Sequence, residues 1–225
     1  MACPTELTVY NYPLTIIEDF FPDPDYVRKL AEAAEYTPQE TYAPGYRSVL
    51  PIEEIHERLA TWIRHKIVLM WYDLRHHNPQ SEFFMDFAKV DPYEKEEDNQ
   101  GIVHIDSSIH LPTCQMAGVI YLSKGQSEDS GTSMYKPKDD AQFGVAPVDL
   151  ERPYSILAEE QRQHFTEVIR GQNVYNRLVL YPANMWHSQT SNGNHGDPTR
   201  YTLRIFINYL SCNEILPPLH RVNFL

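Results

Sequence analysis

Cysteine is scarce and scattered. Cys3, Cys114 and Cys212 are the three in 225 residues, and no two stand in a C-x-x-C pair, which argues against a disulfide framework and a cysteine zinc cluster. Glycine is also sparse, 9 residues against 15 tyrosines, so the chain has neither a fibrous nor a flexible low-complexity composition. Positive charge is in deficit: 19 Lys and Arg face 31 Asp and Glu, a formal net charge of −12. Nonspecific nucleic-acid affinity comes from Lys and Arg clusters, so a nucleic-acid partner is disfavoured. Long apolar runs are missing as well. No segment approaches the roughly 18 apolar residues of a membrane span, and MACPTELTVYNYP lacks the basic and apolar regions of a secretory leader. The expectation is a soluble, cytoplasmic protein with no membrane partner.

What is present suits a substantial core. The chain is 42% hydrophobic and 22% charged, and at this length folding buries about 70–75% of the unfolded surface. In TIIEDFFPDPDYVRKLAEAAEY an apolar run leads into a helix: Asp23 caps it, Pro24 suits its first turn, and Val27, Leu30, Ala31 and Ala34 form the buried stripe. A second helical pattern runs from about Pro51 to Leu74, with Ile55, Leu59, Trp62, Ile63, Ile67, Met70 and Trp71 at helical spacing. From Phe83 onward the texture changes to short β-rich runs, FFMDFAKV, GIVHIDSS, MAGVIYLS, GTSMYKP, NRLVLYP and RYTLRIFINYL. YSILAEEQRQHFTEVIRG, about 154–171, reads as a helix inserted between strands, with Gly171 near its end. Neither a repeat nor a linker divides the chain. The expected fold is α+β, mainly β: one domain over 1–225, with helical support over about 1–80 and an antiparallel jelly-roll-like core over about 83–210.

One run, GIVHIDSSIH, carries an imidazole and a carboxylate two apart. In an extended chain His104 and Asp106 share one face, and Val103 and Ile105 the other. The pattern alone is weak. GNHGDPTR repeats it at His195 and Asp197, but in a turn that fixes no common face. The pair at 104 and 106 has a partner downstream: NRLVLYPANMWHSQT ends a strand, turns, and delivers His187. Two His and one carboxylate make a facial triad that leaves three adjacent octahedral positions open on a non-haem Fe(II), although zinc could use the same ligands. The final long strand then begins at Arg200. Arg200, Thr202, Arg204 and Phe206 share a face opposite Tyr201, Leu203, Ile205 and Ile207, and an inward arginine calls for an anion such as a bound carboxylate.

An H-x-D pair on one strand, a distal His after RLVLYP and an R-x-T opening the last strand resemble the Fe(II)/2-oxoglutarate-dependent dioxygenases, above all their prolyl-hydroxylase-like branch. The likeness spans roughly residues 83–210, and IIEDFFPDP with its helix is similar to the lead-in of these enzymes. The resemblance implies a double-stranded β-helix (jelly-roll) core and a metal site of His104, Asp106 and His187, the residues that carry the catalysis. It implies that Arg200 binds the distal carboxylate of 2-oxoglutarate, with Thr202 as a hydroxyl neighbour and Tyr121 contacting the same carboxylate. The cofactor would be Fe(II), with 2-oxoglutarate and O2 as cosubstrates. The activity implied is hydroxylation of an amino-acid, peptidyl or small-metabolite substrate with release of succinate and carbon dioxide. Asp106 separates the chain from related halogenases, which lack that carboxylate. One departure is the inserted helix, which lengthens the stretch between the two histidines.

Two other readings stay open: a cupin-like metalloenzyme that uses the same triad without 2-oxoglutarate, and a noncatalytic jelly-roll binding or structural protein. Arg204 is either a surface ion pair or a ligand contact. Tyr121 is equally a core tyrosine, and His110, Trp186 and Tyr135 read as packing or loop residues. The acidic DPYEKEEDNQ reads as a solvated turn.

Overall fold

The computed structural model describes residues 13–38, 45–91, 101–106, 114–138, 154–191 and 198–212. Cys3, His110, His195, Asp197 and the acidic loop beyond Asp91 lie outside the described residues.

The chain opens with β1 (Thr15–Ile17) and α1 (Pro24–Ala33). Asp23 caps α1 by accepting from the Tyr26 amide at 3.0 Å, and Val27 and Ala31 are buried with Leu30 and Ala34 beside them, as expected. After β2 (Tyr36–Pro38) and β3 (Tyr46–Ser48), the stretch expected as one helix from 51 to 74 is two, α2 (Ile52–Ile55) and α3 (Glu57–Trp71). His56, at φ −158° and ψ 83°, leaves the helical region, and its Nδ1 accepts from the Leu59 amide at 3.1 Å. The break is therefore the N-cap of α3. The apolar period runs through it because both helices bury one side, Ile52, Ala60, Ile63, Ile67 and Val68.

The remaining elements are β4 (Gln80–Val90), β5 (Met116–Tyr121), β6 (Thr132–Pro137), α4 (Tyr154–Arg162), β7 (Phe165–Gly171), β8 (Leu178–Pro182), β9 (His187–Gln189) and β10 (Arg200–Ser211). The single helix expected over 154–171 is half helix and half strand. Its second part, FTEVIRG, pairs with β6, because β-branched Thr166, Val168 and Ile169 favour a pleated surface. Gly171 thus ends a strand.

The described strands form two antiparallel sheets, ordered β1-β8-β5-β10-β4-β3-β2 and β7-β6-β9. β10 separates two cores by its period of two. Leu203, Ile205 and Ile207 are fully buried with Ile63, Ile67, Met85 and Phe87, between the large sheet and the helices. Phe206, on the other face, packs into a second cluster where Ala117, Tyr121, Val179 and Tyr181 of the large sheet meet Met134 of the small one. No helix among the described residues is long and apolar enough to cross a membrane.

Asn176 ties the N-terminal segment to this frame. It sits at φ 66°, a left-handed conformation that asparagine tolerates. Its Oδ1 accepts from the Phe21 amide at 2.8 Å, its Nδ2 donates to the Phe21 carbonyl at 2.9 Å, and its own carbonyl accepts from the Phe20 amide. Asn176→Ala strips both buried backbone groups of Phe21 of these partners and leaves at positive φ a residue without asparagine's tolerance of it. Chemical denaturation should record a loss of about 3 kcal/mol.

Candidate functional site

The first half of the site hangs from one backbone pairing. His104 and His187 exchange both amide-to-carbonyl hydrogen bonds at 2.9 Å, which lays residues 103–105 beside β9 at the edge of the small sheet. The pairing goes no further: Asp106 N turns away and donates to the Ala183 carbonyl at 2.8 Å. GIVHID is thus a single bridge rather than the expected strand, yet its alternation holds. Val103 is fully buried with Tyr135, Phe165 and Trp186 on the outer side of the small sheet, while His104 and Asp106 turn the other way. Gly101 permits the approach, since a β-carbon there would lie 2.5 Å from Ser188 Oγ and 2.6 Å from Gln189 Cγ.

The side chains converge. Asp106 Oδ2 lies 3.2 Å from His187 Nε2, and its Oδ1 lies 3.8 Å from His104 Nε2. The two imidazole centroids are 4.4 Å apart, and one ligand atom from each of the three residues falls within 4.8 Å of the others. His104 Nδ1 is 2.9 Å from the Ile102 carbonyl and His187 Nδ1 is 2.9 Å from the Met185 carbonyl, each two residues back. A carbonyl only accepts, so each Nδ1 carries the proton and each neutral ring turns its Nε2 lone pair inward. Two lone pairs aimed at a carboxylate call for a cation among them, and this donor set fits a divalent metal ion of the Fe(II) type.

Without a metal, a proton answers that call. Burial works against a charged His187, but Asp106 outweighs it and holds the imidazole above the usual histidine range. His104 is held below that range, by partial loss of hydration first and by His187 second. Burial also works against the Asp106 carboxylate, yet His187 and then His104 bring it down to about 2. His187 and Asp106 side chains are 5% and 12% exposed and His104 is 50% exposed, so the site opens on the His104 side. The Tyr181 ring lies tilted against His187 with centroids 4.5 Å apart, its hydroxyl driven well above the usual range by burial and then by Asp106.

Strand register sets what lies deeper. Along the inner face of β10, Arg200 is opposite Val90, Thr202 stands between Ala88 and Tyr121, Arg204 between Asp86 and Val119, and Phe206 between Phe84 and Ala117. Arg200 is buried, and its guanidinium donates to the carbonyls of Ser130 (2.9 Å) and Ser191 (3.1 Å) and to Gln189 Oε1 (2.8 Å). Tyr121 is buried with its hydroxyl 2.8 Å from Thr132 Oγ1, and burial pushes that hydroxyl up to about 12 despite the Thr132 bond and the Arg200 charge. Arg200, Thr202 and Tyr121 therefore gather at one end of the inner face.

A comparison with curated proteins gives no match. The model of a family of unknown function, DUF6445, matches residues 4–206. The chain belongs to DUF6445. Solved structures place this DUF6445 protein among known folds. A 2OG-Fe(II) oxygenase-family oxidoreductase from Burkholderia pseudomallei is similar at a TM-score of 0.56 and 12% identity, over 90% of this chain and 89% of the other. HygX from Streptomyces hygroscopicus, solved with nickel, 2-oxoglutarate and hygromycin B, gives 0.56 at 12% identity over 87% and 82%. A prolyl hydroxylase from Trichoplax adhaerens, solved with a hypoxia inducible factor peptide fragment, gives 0.53 at 11% identity over 87% and 83%. The DUF6445 chain shares the fold of these oxygenase structures.

Two residues near the triad went unread in the sequence. Asp86 is 4% exposed and takes Arg204 in a two-pronged ion pair, Nε to Oδ1 at 2.8 Å and Nη2 to Oδ2 at 2.5 Å. Arg204 thus forms an internal pair on the inner face rather than a surface one. The signal was the alternation of FFMDFAKV, which sets Asp86 opposite Met85 and Phe87. Tyr181 was signalled likewise by LVLYP, where it alternates with Leu180. Trp186 and Tyr135 pack with Phe165 on the far side of the small sheet, as packing residues should.

In the metal-free protein, nitrogen NMR should show His187 titrating above the usual histidine pKa and His104 below it. Asp106→Asn removes the attraction that outweighs burial, so His187 should then fall below the usual value.

Proposed function

We propose that this DUF6445 protein is an Fe(II)/2-oxoglutarate-dependent oxygenase that converts a substrate C–H to C–OH. One O2 and one 2-oxoglutarate would be consumed, and succinate and carbon dioxide released. The observation that carries this reading is the triad itself: two Nε2 edges and one carboxylate facing a common point, with an arginine on the same inner face. On this reading the two sheets are a double-stranded β-helix core within a single domain over 1–225, supported by the N-terminal helices. The oxygenase fold of the similar structures supports it, and so does HygX, whose structure holds nickel and 2-oxoglutarate.

His104, Asp106 and His187 would hold Fe(II), which when bound supplies the redox and Lewis-acid chemistry that couples cosubstrate decarboxylation to substrate oxidation. The chain's own groups do the rest. The Ile102 and Met185 carbonyls keep both imidazoles in the ligating tautomer. Tyr181 covers the buried side of His187 and keeps water from it. Arg200, flanked by Thr202 and Tyr121, would take the distal carboxylate of 2-oxoglutarate. The Arg204–Asp86 pair cancels two charges within the inner face, leaving Arg200 as the cation at its far end. Substrate would enter on the exposed His104 side. The similar structures hold a peptide in one case and a small molecule in another, so an amino-acid, peptidyl or small-metabolite substrate fits, and the acidic chain disfavours nucleic acid.

One observation favours a metalloenzyme that does without 2-oxoglutarate: three neutral oxygens already hold the Arg200 guanidinium. Calorimetry on the Mn(II)-loaded protein separates the two readings. Arg200→Lys should weaken 2-oxoglutarate binding about 100-fold, losing the planar fork, with Mn(II) affinity within about twofold of the parent. Unchanged 2-oxoglutarate affinity would favour the alternative. A screen of amino acids, peptides and metabolites for succinate release would then identify the substrate.

The proton on His187 must leave before a metal binds. Mn(II) affinity should therefore rise with pH, by up to about tenfold per unit below the raised His187 pKa, and level off above it.

A further inference from the structure

The inserted helix α4 is built onto the metal-ligand arm. His104 spends its own amide and carbonyl on β9, so in an extended segment the amide and carbonyl of Val103 point to the opposite edge. Val103 is fully buried, and those groups need partners. They find them in one side chain. Gln161 Oε1 accepts from the Val103 amide at 2.7 Å, and Gln161 Nε2 donates to the Val103 carbonyl at 2.6 Å. Two residues earlier on the same edge, the Gly101 carbonyl accepts from Arg162 Nε at 2.9 Å. The last turn of α4 thus stands where a neighbouring strand would stand, making the contacts with side chains.

Arg162 also joins the arm to the small sheet. Its Nη1 donates to the Tyr135 hydroxyl at 2.9 Å, and its Nη2 to Ser188 Oγ at 3.2 Å and the Gln189 carbonyl at 2.7 Å. Between the pinned residues 101 and 103 lies Ile102, whose carbonyl accepts the Nδ1 proton of His104. The direction of that carbonyl, and with it the aim of the His104 Nε2 lone pair, is fixed from both sides by α4. Gln189 carries the link onward, since its Oε1 accepts from Arg200.

We propose that Gln161 and Arg162 are positioning residues that set the aim of His104 by holding Gly101 and Val103. This rests on the reading of His104 as a metal ligand. A helix that merely covered the sheet edge would lower stability when unpinned and leave metal affinity alone, whereas outer partners of metal-bound histidines are worth 10- to 100-fold in affinity.

Gln161→Met keeps length and removes both hydrogen bonds. In the metal-free variant, the Val103 amide should exchange with solvent at least about 100-fold faster, and the His104 ring nitrogens should lose their single-tautomer NMR signature. Mn(II) affinity should fall about 10- to 100-fold while the melting curve stays cooperative. Arg162→Lys, which keeps the charge but loses the fork to Gly101, Tyr135 and β9, should act in the same direction and serves if Gln161→Met does not fold. A folded variant with parental Mn(II) affinity overturns the proposal. If the parent itself binds no Mn(II), the metal reading fails, and the metal-free tautomer readout still decides: a His104 ring unmoved by either substitution overturns the positioning role, and a disordered ring supports it.

Discussion

Two imidazoles that give their Nδ1 protons to backbone carbonyls and turn bare Nε2 edges on one carboxylate cannot remain together without a cation among them. That constraint organises the site of this protein. Asp106 is 12% exposed and His187 5%, so water screens their contact poorly, and the gap is filled by a proton on His187 or by a metal ion. The opposed directions of the two histidine pKa values follow from the same geometry: His187 lies nearer the carboxylate, which outweighs its burial, whereas loss of hydration first and the neighbouring His187 second hold His104 down.

The fold serves that constraint by keeping two cores apart. Helices α1 to α3 pack with Leu203, Ile205 and Ile207 of β10 in one apolar layer, and Arg200, Thr202, Arg204 and Phe206 are left on the opposite face of the large sheet. Polar groups can then stand inside the protein in register: Arg200 at one end, Thr202 beside Tyr121 and the Arg204–Asp86 pair next, followed by the apolar Phe206 in the second core. Both buried guanidinium groups have partners, Arg204 in Asp86 across one rung of the sheet and Arg200 in Ser130, Gln189 and Ser191 from outside it, as a close-packed interior requires.

Much of this was legible from local pattern. The cap and stripe of α1, the alternation of β10 and the shared face of His104 and Asp106 depend on residues near one another in the chain, and the structure keeps them. What escaped depends on distant partners or on a tie between periods. HFTEVIRG carries apolar residues at spacings that suit either helix or strand, and only its pairing with β6 selects the strand. His56 breaks a continuous apolar period because its ring can cap α3. GIVHID is strand-like in composition, yet its pairing stops after one bridge because Asp106 turns to Ala183. The contacts of Gln161 and Arg162 reach about sixty residues back along the chain, and no spacing rule exposes them.

The most direct test of the central claim is anaerobic absorption spectroscopy. With Fe(II) and 2-oxoglutarate both added, the parent protein should show a weak visible charge-transfer band that neither component produces alone, and Asp106→Ala should not show it. A folded parent protein with no such band at saturating Fe(II) and 2-oxoglutarate would contradict the assignment of this site to 2-oxoglutarate-dependent iron chemistry.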